Sequence, residues 1–550
     1  MRLFLGEKVH YLPGARGIAG FLLFGLLAGC GGGGGGDDSA PVQISTNAMT
    51  FSAAGPSAAT PAAQTFTVTF GKDVVQLAVV HSGDAIASTT SVQSGRSATI
   101  TVTPTAPSSI GPGPFQGAVA VTGYTCADTT CSRMAAGSSA TLLVNYQISP
   151  VVSGVTPYVA TAGVSDTVII RGVGFRSFSN TTVRFNDTAA TEVAISTDGT
   201  LLTATHPALT AGDYTVHIVA TNHTGEIPSN VTLRVLDPVA FAATTLDYPA
   251  STTNVRSLIY DAQRQALLAV TDTAPSNPIV RYQYANGAWA APTQAANGFL
   301  DATLSADGTQ LFAITGTTLV PVDPATLALG TAITAPSLAT NSALKNIVVG
   351  FDNRALITTS LTTSGTTAPY IYDPPSATVA ALSYALNNAT PAMAANGASA
   401  IVIQGDPTLT SDVAVYSYTT ATNQLTTIGQ PLRQNTAPPV VSRNSNRIVL
   451  NATRVFDASL SLLGTLPSTT NAVVLKPDGN RAYAYDSTAG GILVYDTSVD
   501  REEAAYVALG AATPLGADPG SNVRIAITPD GGTLFVAGSS RIVVLPTPAG

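Results

Sequence analysis

The sequence predicts an all-β chain of 550 residues, two small sandwiches in a row followed by a ring of repeated sheets. Three observations carry this. Charged residues make up 10% of the chain, against a usual share of about 25%, and Thr, Ala, Ser, Gly and Val take their place. Apolar residues alternate with a period of two through the first part, the spacing that turns one face of each strand to a core. A segment of the form strand, Asp-Gly, strand recurs through the last part, and a recurring unit is the mark of a repeat architecture.

Residues 41–148 read as the first sandwich. TFTVTF (65–70), SATITVTPTAP (97–107), GAVAVTGY (117–124) and ATLLVNYQI (140–148) each place apolar side chains on one face, and clusters of Gly, Pro and Ser separate them. Short alternating strands between turn signals predict an Ig-like sandwich. The segment resembles the Ig-like modules strung along bacterial surface proteins.

Residues 149–237 form the second sandwich. The run SPVVSGVTPYVATAGVSDTVIIRGVGF is followed by VRFND, LTATHPALTAGDYTVHIVATN and SNVTLRVLD. It resembles the IPT/TIG module in Pro157, Ala162-Gly163, Gly172-Val173-Gly174-Phe175, Phe185, Pro207, Gly212 and Tyr214. The resemblance implies an Ig-like fold that serves as a spacer or binding surface and has no catalytic role. Gly172 and Gly174 permit a bend at the end of a strand, and Phe175 and Tyr214 are expected to fill the space between the sheets.

In residues 239–550, LSADGTQLFAI (304–314), LKPDGNRAYAY (475–485) and ITPDGGTLFVA (527–537) are clear copies of one unit. Asp-Gly predicts a tight hairpin turn in which both residues take positive φ. Weaker copies extend the series to turn anchors at Asp261, Asp307, Asp352, Asn396, Asn444, Asp478 and Asp530, spaced by 46, 45, 44, 48, 34 and 52 residues. Four-stranded propeller blades recur at about 40–50 residues, so the series predicts a β-propeller of seven blades, with an eight-bladed ring or two smaller sheets as the alternative. The third strands, as in TLVPVDPAT, APYIYDPPS and GILVYDTS, resemble the YVTN-type repeats of bacterial surface and periplasmic propellers. The last copy completes only three strands, and AFAATTLDYP (240–249) is read as the fourth, which would leave no open sheet edge.

The chain begins with Arg2, Lys8 and Arg16 and an apolar stretch from Gly17 to Ala28. That stretch is shorter than the roughly 20 residues that span a bilayer, and a basic flank before a short apolar core marks a secretory signal, here residues 1–29. Leu27-Ala28-Gly29-Cys30 resembles the lipobox of bacterial lipoproteins, which implies a lipidated Cys30, a membrane partner through that anchor, and a place in the cell envelope, at the outer membrane. Residues 30–40 then form a Gly-rich tether. A flexible coil of this length spans roughly 17 Å.

Composition bounds the function. A net charge of −8 argues against nucleic acid, which requires clustered Lys and Arg. Cys126 and Cys131 are expected to pair as a disulfide in an oxidising compartment, with free thiols or a metal site as alternatives. The five histidines are His10, His81, His206, His217 and His223, and none lies in the repeat region. With no nucleophile elbow, calcium loop or phosphate-cradling loop, the reading names no catalytic residue, no metal ligand and no cofactor. The expected role is binding, adhesion or scaffolding toward a protein or carbohydrate ligand. The alternative is a lactonase-like hydrolase or an oxidoreductase at the ring centre.

Loops joining the second to the third strand of each blade crowd one face of a propeller. Three are long: TDTAPSNPI (271–279), TSLTTSGTTAP (359–369) and QGDPTLTSD (404–412). Loops on a rigid scaffold often carry function. The candidate binding face accordingly bears Asp272, Asp406, Asp412 and Asp486.

Overall fold

A computed structural model describes residues 42–549, except Cys131, Pro228, Thr253, Ala274, Pro275, 362–365, Asn387, 406–412 and 433–436. Cys30, the signal segment and the tether lie outside the described residues.

The first sandwich packs two four-stranded sheets. One orders Gln43–Ile44, Gln64–Thr69, Ser97–Pro104 and Ile86–Ser94, and the other Ala48–Ala53, Met134–Ile148, Gly113–Cys126 and Val74–Ser82. Alternation in sequence becomes alternation in burial: in Ala48–Ala53 every second residue is buried. Val68, Ile100, Val121, Leu142 and Val144 are fully enclosed between the sheets. Each such side chain stabilises the sandwich by about 1.5–3 kcal/mol.

The second sandwich packs a five-stranded sheet on a four-stranded one. Phe175 and Phe185 are fully buried at its centre. Tyr214 departs from the expectation for it. It stands half-buried at the rim, where its hydroxyl donates to Thr210 O at 3.1 Å, because a buried phenol would need a partner that an apolar core lacks. Gly172 is required by close approach, since a Cβ there would lie 2.0 Å from Val151 O.

The remaining described residues build seven antiparallel sheets around a ring, a β-propeller; six have four strands and the first has five. Their innermost strands are Val255–Asp261, Asp301–Leu304, Ser342–Val349, Thr390–Met393, Val440–Val441, Thr470–Leu475 and Arg524–Ile527, here taken to head blades one to seven. Each innermost strand neighbours the next, and the seventh returns to the first. Blade seven is composite: Thr244–Asp247 pairs with Arg541–Pro546, with Thr244 opposite Val544. Phe241, Tyr284, Trp289 and Phe535 interlock across the seam of blades one and seven, with Phe241 5.2 Å from the Trp289 ring. Trp289 therefore serves ring packing.

All seven anchors fall where the first strand of a blade turns into the second, but the turn differs from the expected two-residue form. In the Asp-Gly turn of blade two only Gly308 takes positive φ, at 65°, and Asp307 does not. Gly308 N donates to Ser305 O at 2.9 Å, so Ala306 and Asp307 occupy the corner of a wider turn. Asp307 acts through its carboxylate instead, accepting from Thr309 N at 3.0 Å and from Ser305 Oγ at 2.6 Å. The Asp is selected as a side-chain acceptor and the Gly for its backbone.

Candidate functional site

The two faces of the ring have different neighbours. On the face formed by the anchor turns sits the second sandwich. Arg443, in the turn of blade five, donates from Nε to Asp166 Oδ2 at 2.7 Å and from Nη2 to Val159 O at 2.9 Å. Thr156 Oγ1 donates to Phe351 O in the turn of blade three at 3.3 Å. The ring of Tyr158 lies on Gly308, where a Cβ would come within 2.0 Å of its Cζ. Burial between these surfaces pushes the Tyr158 phenol pKa up.

The opposite face holds a cavity of about 600 Å³. Innermost strands run from this face toward the turn face, so the residues that line it come from the strand starts: Arg256 and Leu258 of blade one, Ala472 and Val473 of blade six, Arg524 and Ile525 of blade seven. Asn254, Asn471, Ser487 and Asn522 add amides and a hydroxyl at the rim. Small-molecule sites typically measure about 300–1,000 Å³ and combine apolar walls with a few placed polar groups.

Two arginines set the electrostatics. Arg256 forms an ion pair with Asp272 through Nε. Arg524 lies deeper. Its Nε donates a long bond of 3.4 Å to Val255 O, which places it beside the strand that carries Arg256. Burial disfavours its charge and lowers its pKa, and Asp301 opposes that effect from a distance. The guanidinium stays protonated all the same, because its intrinsic pKa exceeds about 12.

Asp301 opens the innermost strand of blade two and is buried, 7% exposed. Burial raises its pKa to about 6, against the pull of bonds from Ile347 N at 3.0 Å, Asn346 Nδ2 at 3.2 Å and Ala302 N at 2.9 Å. Lys345 of blade three, half-buried, donates to Asn388 O at 2.8 Å, and desolvation lowers its pKa.

The residues named from sequence are placed as follows. Asp272 stands at the open face, joined to Arg256. Asp486 is 6% exposed, and its carboxylate accepts from Thr469 Oγ1 at 2.5 Å, Thr488 N at 2.8 Å and Ala489 N at 3.0 Å. It stabilises its own turn. Asp406 and Asp412 lie outside the described residues. Cys126 ends the strand Gly113–Cys126, and Ala127 N donates to Arg133 O at 2.8 Å across the hairpin tip. Cys131 lies outside the described residues.

Each histidine of the sandwiches has a local setting. His206 is buried against the Phe185 ring, with Nδ1 2.9 Å from Pro207 O. His217 Nδ1 lies 3.7 Å from Glu226, and His81 Nδ1 lies 3.2 Å from Thr89 Oγ1. His223 Nε2 lies 3.0 Å from Ser149 Oγ, at the junction of the sandwiches. Among the described residues no group of three or more His, Cys, Asp or Glu is arranged to hold a metal ion, and no helix is long and apolar enough to cross a membrane.

Sequence reasoning misses Arg256, Arg524 and Asp301. They belong to no motif, and only ring closure brings blades one, two and seven together.

Comparison with known proteins agrees with the second sandwich. Residues 150–235 match the IPT/TIG domain family. No curated protein matches the chain. Among solved structures, Kuenenia stuttgartiensis hydrazine synthase is similar at 11% identity and a TM-score of 0.42, over 56% of this chain and 99% of that one. The β-propeller domain of Myceliophteria thermophila Cps50 (Swd1) is similar at 10% identity and a TM-score of 0.41, over 56% of this chain and 100% of that one. An auxiliary nutrient binding protein from Bacteroides ovatus is similar at 12% identity and a TM-score of 0.34, over 72% of this chain and 98% of that one.

Proposed function

We propose that this chain is a lipid-anchored binding protein of the cell envelope, with the two sandwiches as a stalk and the propeller as the head that receives a ligand. The observation that carries the reading is the division of the ring. The stalk occupies the turn face through Arg443, Thr156 and Tyr158, and the cavity opens on the opposite one. A head mounted this way turns its cavity away from the stalk. The second strands of blades one, three and four end at this same face, at Thr271, Leu361 and Ile403, where the sequence places its long connections. Donors and apolar walls in the cavity suit holding a ligand. In this reading Cys30 carries the lipid, and Cys126 and Cys131 form a disulfide that stiffens a hairpin tip of the stalk.

Two experiments test it. Cells producing the Cys30→Ser protein are fractionated: the variant is expected in the soluble fraction and the native protein in the membrane pellet, and a variant that still pellets overturns the anchor. In the second, the three long loops are replaced by short Gly-Ser turns. A protein that keeps its full cell-surface phenotype after that exchange would remove the open face from the binding role.

A further inference from the structure

The geometry points to an acidic sugar as the ligand of the open cavity, a uronate whose carboxylate is taken by Arg524. This deepens the binding role proposed above and rests on it.

The argument starts from charge. A cation drawn partly out of water gains from a carboxylate partner. Arg524, half-buried in the cavity wall, has none among the described residues. Its Nε makes one long bond to a carbonyl, and among the described residues its two terminal nitrogens make none. Among the described residues no carboxylate lies within ion-pair distance of it, and the cavity lining holds two arginines and no acid. Asp301 acts on it only from a distance, with its own oxygens held by Ile347, Asn346 and Ala302. A guanidinium with both Nη groups unspent is a fork that accepts a carboxylate through two parallel bonds.

The number of charges selects the class. Arg256 is already balanced by Asp272, so one positive charge at the cavity remains uncompensated. A single carboxylate balances it, whereas a phosphate dianion would bring excess negative charge. The rest of the lining suits a hydroxylated body. Asn471 Oδ1 accepts from Ser487 N at 3.3 Å, which leaves Asn471 Nδ2 to donate. Asn254 and Ser521 add further polar groups, and Leu258 and Tyr485 give apolar walls for the C–H face of a ring. A volume of about 600 Å³ accommodates a small sugar.

The test is calorimetric titration of the full-length protein in detergent. Glucuronate, galacturonate and mannuronate are compared with glucose, galactose, mannose and inorganic phosphate. At least one uronate is expected to bind, with its neutral counterpart and phosphate at least tenfold weaker. Arg524→Gln is expected to weaken that uronate by about 10–100-fold, the value of charged hydrogen bonds of about 1.5–3 kcal/mol. Arg524→Lys, which keeps the charge but loses the two-pronged geometry, is a second variant in case the first misfolds and is expected to weaken the same uronate, and unchanged Trp289 emission checks the fold of each. The inference is overturned if no uronate binds, if a neutral sugar or phosphate binds as tightly, or if a folded Arg524→Gln protein keeps native affinity. If uronates fail while the loop exchange still abolishes the cell-surface phenotype, the sugar assignment falls and the binding role stands.

Discussion

The buried carboxyl of Asp301 should make the stability of the propeller depend on pH in a specific window. An aspartate in the unfolded chain titrates near pH 4, whereas burial raises Asp301 in the folded ring to about 6. Between these values the folded protein holds a proton that the unfolded chain releases. Stability from this group is therefore fully present below about pH 4 and lost as pH rises through about 6. A gap of about two pH units corresponds to a loss of about 3 kcal/mol. Asp301→Asn removes the proton and should flatten this part of the profile. The level it reaches is a separate matter, because the new side-chain NH2 meets the donors of Asn346 and Ile347. Turning the Asn346 amide would relieve this, since Asn346 Oδ1 has no partner. Slope, and not level, is thus the quantity to read. Urea unfolding followed by Trp289 emission from about pH 4 to 7.5 gives it, because the only tryptophan of the chain sits in the seam that must open. Parallel profiles for the native and Asp301→Asn proteins would refute the reasoning.

Further outcomes are expected elsewhere. Phe241→Ala should cost about 3–5 kcal/mol, since this 2% exposed ring joins blades one and seven; urea midpoints measure it, and a shift below about 1 kcal/mol would deny the seam its role. Arg443→Ala removes an ion pair and a second charged bond between stalk and ring, and should speed proteolysis at the 237–240 junction while the urea midpoint of the ring holds. Gly172→Ala should destabilise the second sandwich by about 1–3 kcal/mol, because the new Cβ meets Val151 O; a two-domain fragment of unchanged melting temperature would contradict it.

Much of the fold is legible in the sequence because strands and turns are local signals. The period-two runs become strands with alternating burial, as in Ala48–Ala53, and each turn anchor finds its place between paired strands. The detailed turn is not legible, since the dipeptide Asp-Gly does not distinguish a two-residue turn from a wider one in which Asp307 accepts side-chain and backbone bonds and Gly308 alone is left-handed. Size alone puts Tyr214 in the core, whereas its hydroxyl finds Thr210 at the rim. The cavity is least legible. Loop length draws attention to aspartates, yet Asp486 serves its own turn and Asp272 balances Arg256. The groups that set the field of the cavity, Arg256 and Arg524, lie more than 200 residues apart and come side by side only when the ring is closed.

The composite seventh blade orders events in time. Thr244 waits for Val544, so this strand has no partner until 300 further residues have left the ribosome. The two sandwiches, complete by residue 236, are free to fold while the head is still being made. Until Arg541–Pro546 emerges, Thr244–Asp247 is an unpaired β-edge at the start of an open arc. Loss of Arg541–Pro546 alone would leave the arc permanently unclosed, with Thr244–Asp247 still an exposed edge.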